Sequence, residues 1–419
     1  MANGGSEDAG QGTGRTGAAG AEAAQAGPAG SAREVFAVFL KLGLTSFGGP
    51  IAHLGYFRDE LVTRRRWLSE AAYADLVALC QFLPGPASSQ VGFALGLLRA
   101  GPWGALAAFA AFTAPSALAL IVVALTAAQA TGPVATGALA GLKIVAVAIV
   151  AQAVLGMARN LCPDRERAAI AVGAVALLAA FPDAPGMIGA IVLGGLAGLA
   201  LGRGAGSAGE RLALSVPRGP ALACLGAFFA LLLALPLLAG AGQALAVIDA
   251  FYRAGALVFG GGHVVLPLLQ AEVVAPGWVT EDAFLAGYGA AQAVPGPLFT
   301  FAAYLGTVLQ PAPSGLAGAA LALGAIFLPG FLLLVGVLPF WDAFRRRDRA
   351  QSAMQGANAA VVGILGAALY SPVFTSAVGG MADFALAAAC FVALTGWRAP
   401  PWAVVLVAAA GGAALALAG

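Results

Sequence analysis

The sequence predicts an all-α polytopic membrane protein built from two inverted-topology repeats, each broken by Gly- and Pro-containing re-entrant helical hairpins. Three observations carry this reading. The 419-residue chain is 60% hydrophobic, only 10% charged and has a mean hydropathy of +0.90, whereas a soluble domain carries about 25% charged residues to keep its surface wetted. Apolar runs recur at 105–126, 134–158, 222–239 and 316–338, each about the 18 residues or more that cross a bilayer as a helix. Finally, a Phe-Gly-Gly segment and a Pro-Gly-Pro segment each occur twice, in the same order.

Taken from the N-terminus, residues 1–32 are Gly, Ala, Ser and Gln with scattered charge. They lack the continuous apolar core of a signal sequence and read as a disordered cytoplasmic tail. Residues 33–202 form the first repeat. Residues 203–245 begin with a polar, Gly-rich stretch holding Arg203, Glu210, Arg211 and Arg218, and read as a cytoplasmic linker followed by a connecting helix. Residues 246–419 form the second repeat.

The repeat rests on residue-by-residue matches. Phe39-Leu-Lys41-Leu-Gly43 leads to Phe47-Gly48-Gly49, and Phe251-Tyr-Arg253-Ala-Gly255 leads to Phe259-Gly260-Gly261, 212 positions on. Trp67 matches Trp278, and Gln81-Phe-Leu-Pro84-Gly85-Pro86 matches Gln292-Ala-Val-Pro295-Gly296-Pro297, 211 positions on. Pro115 pairs with Pro329, and Gly141-Leu-Lys143 with Gly356-Ala-Asn358. Order, spacing and residue type all persist, which points to internal duplication.

Loop charge sets orientation, because Lys- and Arg-rich loops stay cytoplasmic. Arg58, Arg64, Arg65 and Arg66 follow the first Phe-Gly-Gly, while the matching 271–282 loop holds Glu272, Glu281 and Asp282 and no base. The bias then reverses: 127–136 is uncharged, and its counterpart holds Arg345, Arg346, Arg347 and Arg349. Matching loops thus face opposite sides, the pattern of inverted repeats. The broken segments read as hairpins that enter the membrane and return, since irregular backbone survives at that depth only against protein or water. About nine crossings and four re-entrant segments are expected. Residues 168–201, two short apolar runs around Pro182-Asp-Ala-Pro185, fit either two spans or one hairpin.

Polar residues inside apolar segments are costly there and mark candidate sites. Helices starting at Pro84-Gly85-Pro86 and Pro295-Gly296-Pro297 would aim free N–H groups, with Ser88, Ser89 and Thr300, at a shared spot suited to an anion. Gln81 and Gln292 lie just upstream. Gly48, Gly49, Gly260 and Gly261 permit positive φ and an anion-binding concavity. Lys143, ten residues after Pro133 and sixteen before Arg159, reads as a lysine stranded near mid-membrane, with polar Asn358 as its repeat mate. Lys41 and Arg253, each six residues before Phe-Gly-Gly, read as gating or coupling cations. His53 and His263 are out of register and read as interface or loop residues.

A net charge of +2 gives no basis for a nucleic-acid partner. The four cysteines show no C-x-x-C spacing and the two histidines do not cluster, so neither a metal nor a cofactor is expected. No nucleophile–base pair argues for an enzyme.

With Phe47-Gly48-Gly49-Pro50, Trp67-Leu-Ser-Glu70 and Gln81-Phe-Leu-Pro84-Gly85-Pro86, and with their second copies, the chain resembles the long, two-domain chromate transporters from residue 33 onward. That resemblance implies proton-driven efflux of chromate, or a similar oxyanion, across the bacterial inner membrane. Chromate, protons and lipid would be the partners, with a homodimer left open. Transport of another oxyanion such as sulfate, and an uncoupled anion channel, remain rival readings. The second copy departs at Gly262 for Pro50 and Phe301 for Gln90, which puts a twofold-symmetric ligand scheme in doubt.

Overall fold

A computed structural model of the chain describes residues 30–127, 129, 131–202, 216–259, 261–344 and 347–418. Most of the expected tail, the linker arginines Arg203 and Arg211, Arg345, Arg346 and Gly260 lie outside the described residues.

All the regular elements of the described residues are helical. The first copy runs α1 (Ala32–Thr45), α2 (Gly49–Phe57), a wide π-helical turn (Arg58–Arg64), α3 (Glu70–Phe82), α4 (Ala87–Ala127), α5 (Pro133–Leu161), α6 (Arg165–Ala180) and α7 (Ala184–Leu201). The connecting helix is α8 (Arg218–Leu238). The second copy runs α9 (Gln243–Ala256), α10 (Val265–Val273), α11 (Glu281–Ala291), α12 (Phe301–Val308), α13 (Gly315–Val337), a short α14 (Trp341–Phe344), α15 (Asp348–Ala368), a short α16 (Thr375–Ala377), α17 (Met381–Thr395) and α18 (Pro401–Ala418).

Local chemistry explains the boundaries. Ser31 caps α1 by accepting the Glu34 N–H at 3.1 Å, while Val35, Val38, Phe39 and Leu42 form its buried stripe. Just ahead of this cap, Gly30 donates its N–H to Arg99 O at 3.0 Å. Helix α4 is broken at Ala100 and Gly101, where φ is −144° and +63°; Pro102 then starts the next stretch, a position that needs no N–H. At the equivalent place the second copy separates α12 from α13. The 168–201 segment resolves into two helices, α6 and α7, which pack on each other and are joined by a turn in which Asp183 accepts the Gly186 N–H.

Among the described residues, five helical stretches are long and apolar enough to cross a membrane: Ala87–Ala127, Pro133–Leu161, Arg218–Ala241, Gly315–Phe340 and Asp348–Ala377. Pro185–Leu201, Met381–Thr395 and Pro401–Leu417 are apolar but shorter. The chain is an all-α, multi-pass membrane protein.

The two copies interlock. Within each, the first helix lies along the long proline-containing helix, α1 on α4 and α9 on α13. Between them, α5 packs against α17 and α18, and α15 against α6 and α7. A Cβ on Gly141 would fall 2.1 Å from Ala408 O, and one on its match Gly356 would fall 2.1 Å from Gly194 O. Only glycine allows such backbone contact, and small residues are how helices pack where lipid removes the hydrophobic drive.

Candidate functional site

The broken segments meet through two crossed backbone bonds. Gly85 N–H of the first Pro-Gly-Pro donates to Val258 O at 2.8 Å, and Gly296 N–H of the second donates to Ser46 O at 2.9 Å. Gly85 and Gly296 are repeat mates, as are Ser46 and Val258, so each tip is tied to the residue before Phe-Gly-Gly in the other copy. Both glycines have positive φ, +115° and +104°, a region that L side chains enter only at a cost. A Cβ on Gly85 would lie 3.1 Å from Gly330 Cα, and one on Gly296 2.9 Å from Ser116 Oγ. Gly330 and Ser116 each directly follow the matched prolines Pro329 and Pro115.

This corrects the expected chemistry of the tips. The two glycine N–H groups are spent on carbonyls and do not face an anion. Gln90 N–H closes the first turn of α4 on Pro86 O at 2.9 Å, and Thr300 N–H turns back to Pro297 O at 3.0 Å. The Thr300 hydroxyl also donates to Pro297 O, at 2.7 Å. Ser88 Oγ pairs with His53 Nδ1 at 3.3 Å, whereas Ser89 Oγ is buried with no partner.

A cavity of about 150 Å³ opens where the segments converge, lined by Gly48, Gly49, Gln152, His263, Gln292 and Gly296 among others. It has room for a few waters or one small oxyanion. Gln292 Nε2 is buried there without a partner, an unsatisfied donor of the kind that marks a ligand position. The Phe-Gly-Gly segments also touch: a Cβ on Gly262 would sit 3.3 Å from Pro50 Cγ. This contact explains the Gly-for-Pro departure, because only one of the two facing positions has space for a ring. The Phe-for-Gln departure is chemical. Gln90 donates to Pro84 O at 3.1 Å and Gly330 O at 2.9 Å, while Phe301 instead joins Phe284, Tyr288 and Tyr304 in an aromatic cluster.

Other expected residues fall elsewhere. Gln81 is exposed and is not among the residues lining this cavity. Gly261, at φ +148°, lies near Met157, and Asn358 Oδ1 is buried without a bond. Lys143 is not stranded among the tips. Its Nζ bonds Asp282 Oδ1 at 2.8 Å, with the lysine 20% and the aspartate 74% exposed. The pair lines a separate cavity of about 440 Å³ together with Thr136, Thr280 and Tyr304. Gln152 on α5, nine residues after Lys143, is the side chain that reaches the tip cavity; a polar group in the middle of an apolar run was the signal for it. The histidines also differ from their interface or loop reading. His53 is fully buried on α2, and His263 Nδ1 meets Tyr288 OH at 2.7 Å.

Lys41 and Arg253 both sit in ion-pair clusters. Lys41 pairs with Glu60 at 3.4 Å, and Glu60 also holds Arg64 and Arg65. Glu60 is 8% exposed. Burial alone would push its carboxyl up, but the Arg65 hydrogen bond and the charges of Lys41, Arg64 and Arg65 hold it below the usual carboxylate range. Arg253 pairs with Glu272 at 2.7 Å and Asp249 at 2.9 Å. Glu60 and Glu272 are 212 positions apart, the interval that separates Lys41 from Arg253.

The chromate transporter sequence profile matches residues 33–199 and again 245–413. The chain belongs to the chromate transporter family. Among curated relatives of this chromate transporter family member, the chromate transport protein of Pseudomonas aeruginosa is 29% identical over 338 residues, covering 80% of this chain and 79% of that one. The probable chromate transport protein of Synechococcus elongatus is 29% identical, covering 80% and 83%. The chromate transport protein of Cupriavidus metallidurans is 25% identical, covering 80% of each. No solved structure matches the chain.

Proposed function

We propose that the protein exports chromate, or a closely similar tetrahedral oxyanion, across the bacterial inner membrane by alternating access of two inverted repeats, driven by the proton-motive force. The observation that carries the reading is the polar cavity at the crossed tips, where Gly48 and Gly49 of one copy face Gln292 and Gly296 of the other. A dianion entering it would exchange water for the Gln292 and Gln152 amides, two polar side chains that line the cavity. Lys143 serves this scheme from the larger cavity, as a cation that draws the anion in once Asp282 releases it. Because the tips are tied across the copies, a shift of one hairpin pulls the other, as exchange between two open states requires. The relatives' names support the substrate, and the opposed loop charges support the inversion.

The test is uptake of labelled chromate into everted vesicles, with sulfate as competitor and a protonophore added. Saturable uptake that collapses with the protonophore is expected. Uptake indifferent to it would remove the coupling, and absence of uptake would remove the substrate.

A further inference from the structure

The two hairpin mouths carry opposite balances of acid and base. In the first, Glu60 is surrounded by Lys41, Arg64 and Arg65. In the second, one guanidinium nitrogen, Arg253 Nη2, serves two carboxylates, Asp249 Oδ2 at 2.9 Å and Glu272 Oε2 at 2.7 Å. The repeat mate of Asp249 is Ala37, and the stretch matching Arg64–Arg66 is Ala275-Pro276-Gly277. The second copy has thus gained an acid and lost its extra bases. Asp249 is buried, and both its Oδ1 and Arg253 Nε are buried with no bond.

Charge counting then differs between the mouths. With both acids ionised, the Asp249–Arg253–Glu272 cluster carries one uncompensated negative charge out of water. Two carboxylates so placed relieve that cost by sharing one proton and titrating as a pair. Helices α7, α8, α13 and α15 pack against α9 or α10. Of these, α7 and α13 carry no acidic or basic side chain, α8 has Arg218 and Cys224, and α15 has Asp348 and Arg349 in its first turn. Tyr252 on α9 is bonded to Phe228 O, and His263, before α10, to Tyr288. The charges acting on Glu272 are Arg253 and Asp249.

We propose that Asp249 and Glu272, held by Arg253, form a single-proton site, and that this proton is the one exchanged for the anion. The inference rests on the proton-coupled reading above. The proton is taken from water by the carboxylate pair and returned to water, with no other bond made or broken. When it binds, the pull of Glu272 on Arg253 weakens. Arg253 stands on the helix whose end, two residues past Ala256, offers Val258 O to Gly85 N–H. Protonation at the mouth therefore reaches the crossed bond that ties the first Pro-Gly-Pro tip to the second copy.

The full chain in proteoliposomes tests this, with two readouts: chromate accumulation driven by a pH gradient, and chromate–chromate exchange without a gradient. Glu272→Gln and Asp249→Asn should each lose gradient-driven accumulation and its pH dependence while still exchanging chromate. Glu60→Gln should keep the wild-type pH profile. Exchange-competent Glu272→Gln and Asp249→Asn proteins that still accumulate chromate with the wild-type profile would overturn the site. A wild-type protein indifferent to the gradient would overturn proton coupling itself, a separate result. Should neither variant assemble, infrared difference spectra of the wild type across neutral pH decide. A protonated-carboxyl band that shifts with isotopic labelling of Asp and Glu supports the site, and its absence overturns it.

Discussion

Arg253 on α9 and Glu272 on α10 form a 2.7 Å ion pair across nineteen residues, and Lys41 and Glu60 are joined across the same interval at 3.4 Å. The conserved spacing ties the entering arm of each Phe-Gly-Gly hairpin to its returning arm. The glycine tips between those arms are held from below while crossed bonds hold them from above. The residues around each pair differ, and so do the expected responses.

In the first copy, three cations lower the Glu60 carboxyl below its unfolded value. The stabilisation is complete above the ordinary carboxylate range and is lost as pH falls through the folded value. Because Lys41 and Arg64 are more than half exposed, the contribution is about 1 kcal/mol. Glu60→Gln should therefore melt lower than wild type at neutral pH, with the gap closing on acidification. Thermal melts of both proteins in detergent across pH check this.

Gly296→Ala places a Cβ at φ +104° and 2.9 Å from Ser116 Oγ. The backbone strain alone is about 1–2 kcal/mol, and the clash pushes the tip off its bond to Ser46. Transport should fall, and adding Ser116→Ala should recover only part of it. Full recovery would mean that the left-handed backbone carries no cost there.

Lys143 and Asp282 give opposite signs if the lysine recruits anion. Lys143→Met should raise the KM for chromate, while Asp282→Asn frees the lysine and should lower it. A structural tie would make both variants worse in the same direction. Concentration series of uptake at fixed salt separate the two outcomes.

Gln90→Leu removes donors from two buried carbonyls, Pro84 O and Gly330 O. Pro84 O left unpaired costs about 1–3 kcal/mol, while Gly330 O, inside α13, loses its second donor. The variant should melt lower and lose transport, whereas Phe301→Gln in the other copy disrupts an aromatic cluster and gains no matching bond. Melts of the two variants side by side measure the asymmetry.

Much of this arrangement is legible in the chain because its backbone demands are severe. Gly85 and Gly296 must be glycine at positive φ, so Pro-Gly-Pro stands out twice. The membrane class follows from charge scarcity together with the recurring apolar runs. What stays hidden is where the tip N–H groups go, since Gly85 to Val258 and Gly296 to Ser46 are backbone bonds that leave no side-chain pattern. The partner of Lys143 lies 139 residues away on another helix, so spacing along α5 could not reveal that the lysine is paired. Asp249 is matched by Ala37, so aligning the two copies does not single it out, although this acid is what sets the second mouth apart. Glu60 and Glu272 were readable at the common interval, but each resembled an ordinary charge at a loop end.

The packing of α5 on α17 and α18, and of α15 on α6 and α7, gives each half the core that the other needs. Neither half produced alone has a surface it can leave uncovered. The chain passes from one half to the other between α7 and α8. Two separately encoded fragments, cut there and made in the same cell, should therefore reassemble and restore transport by complementation.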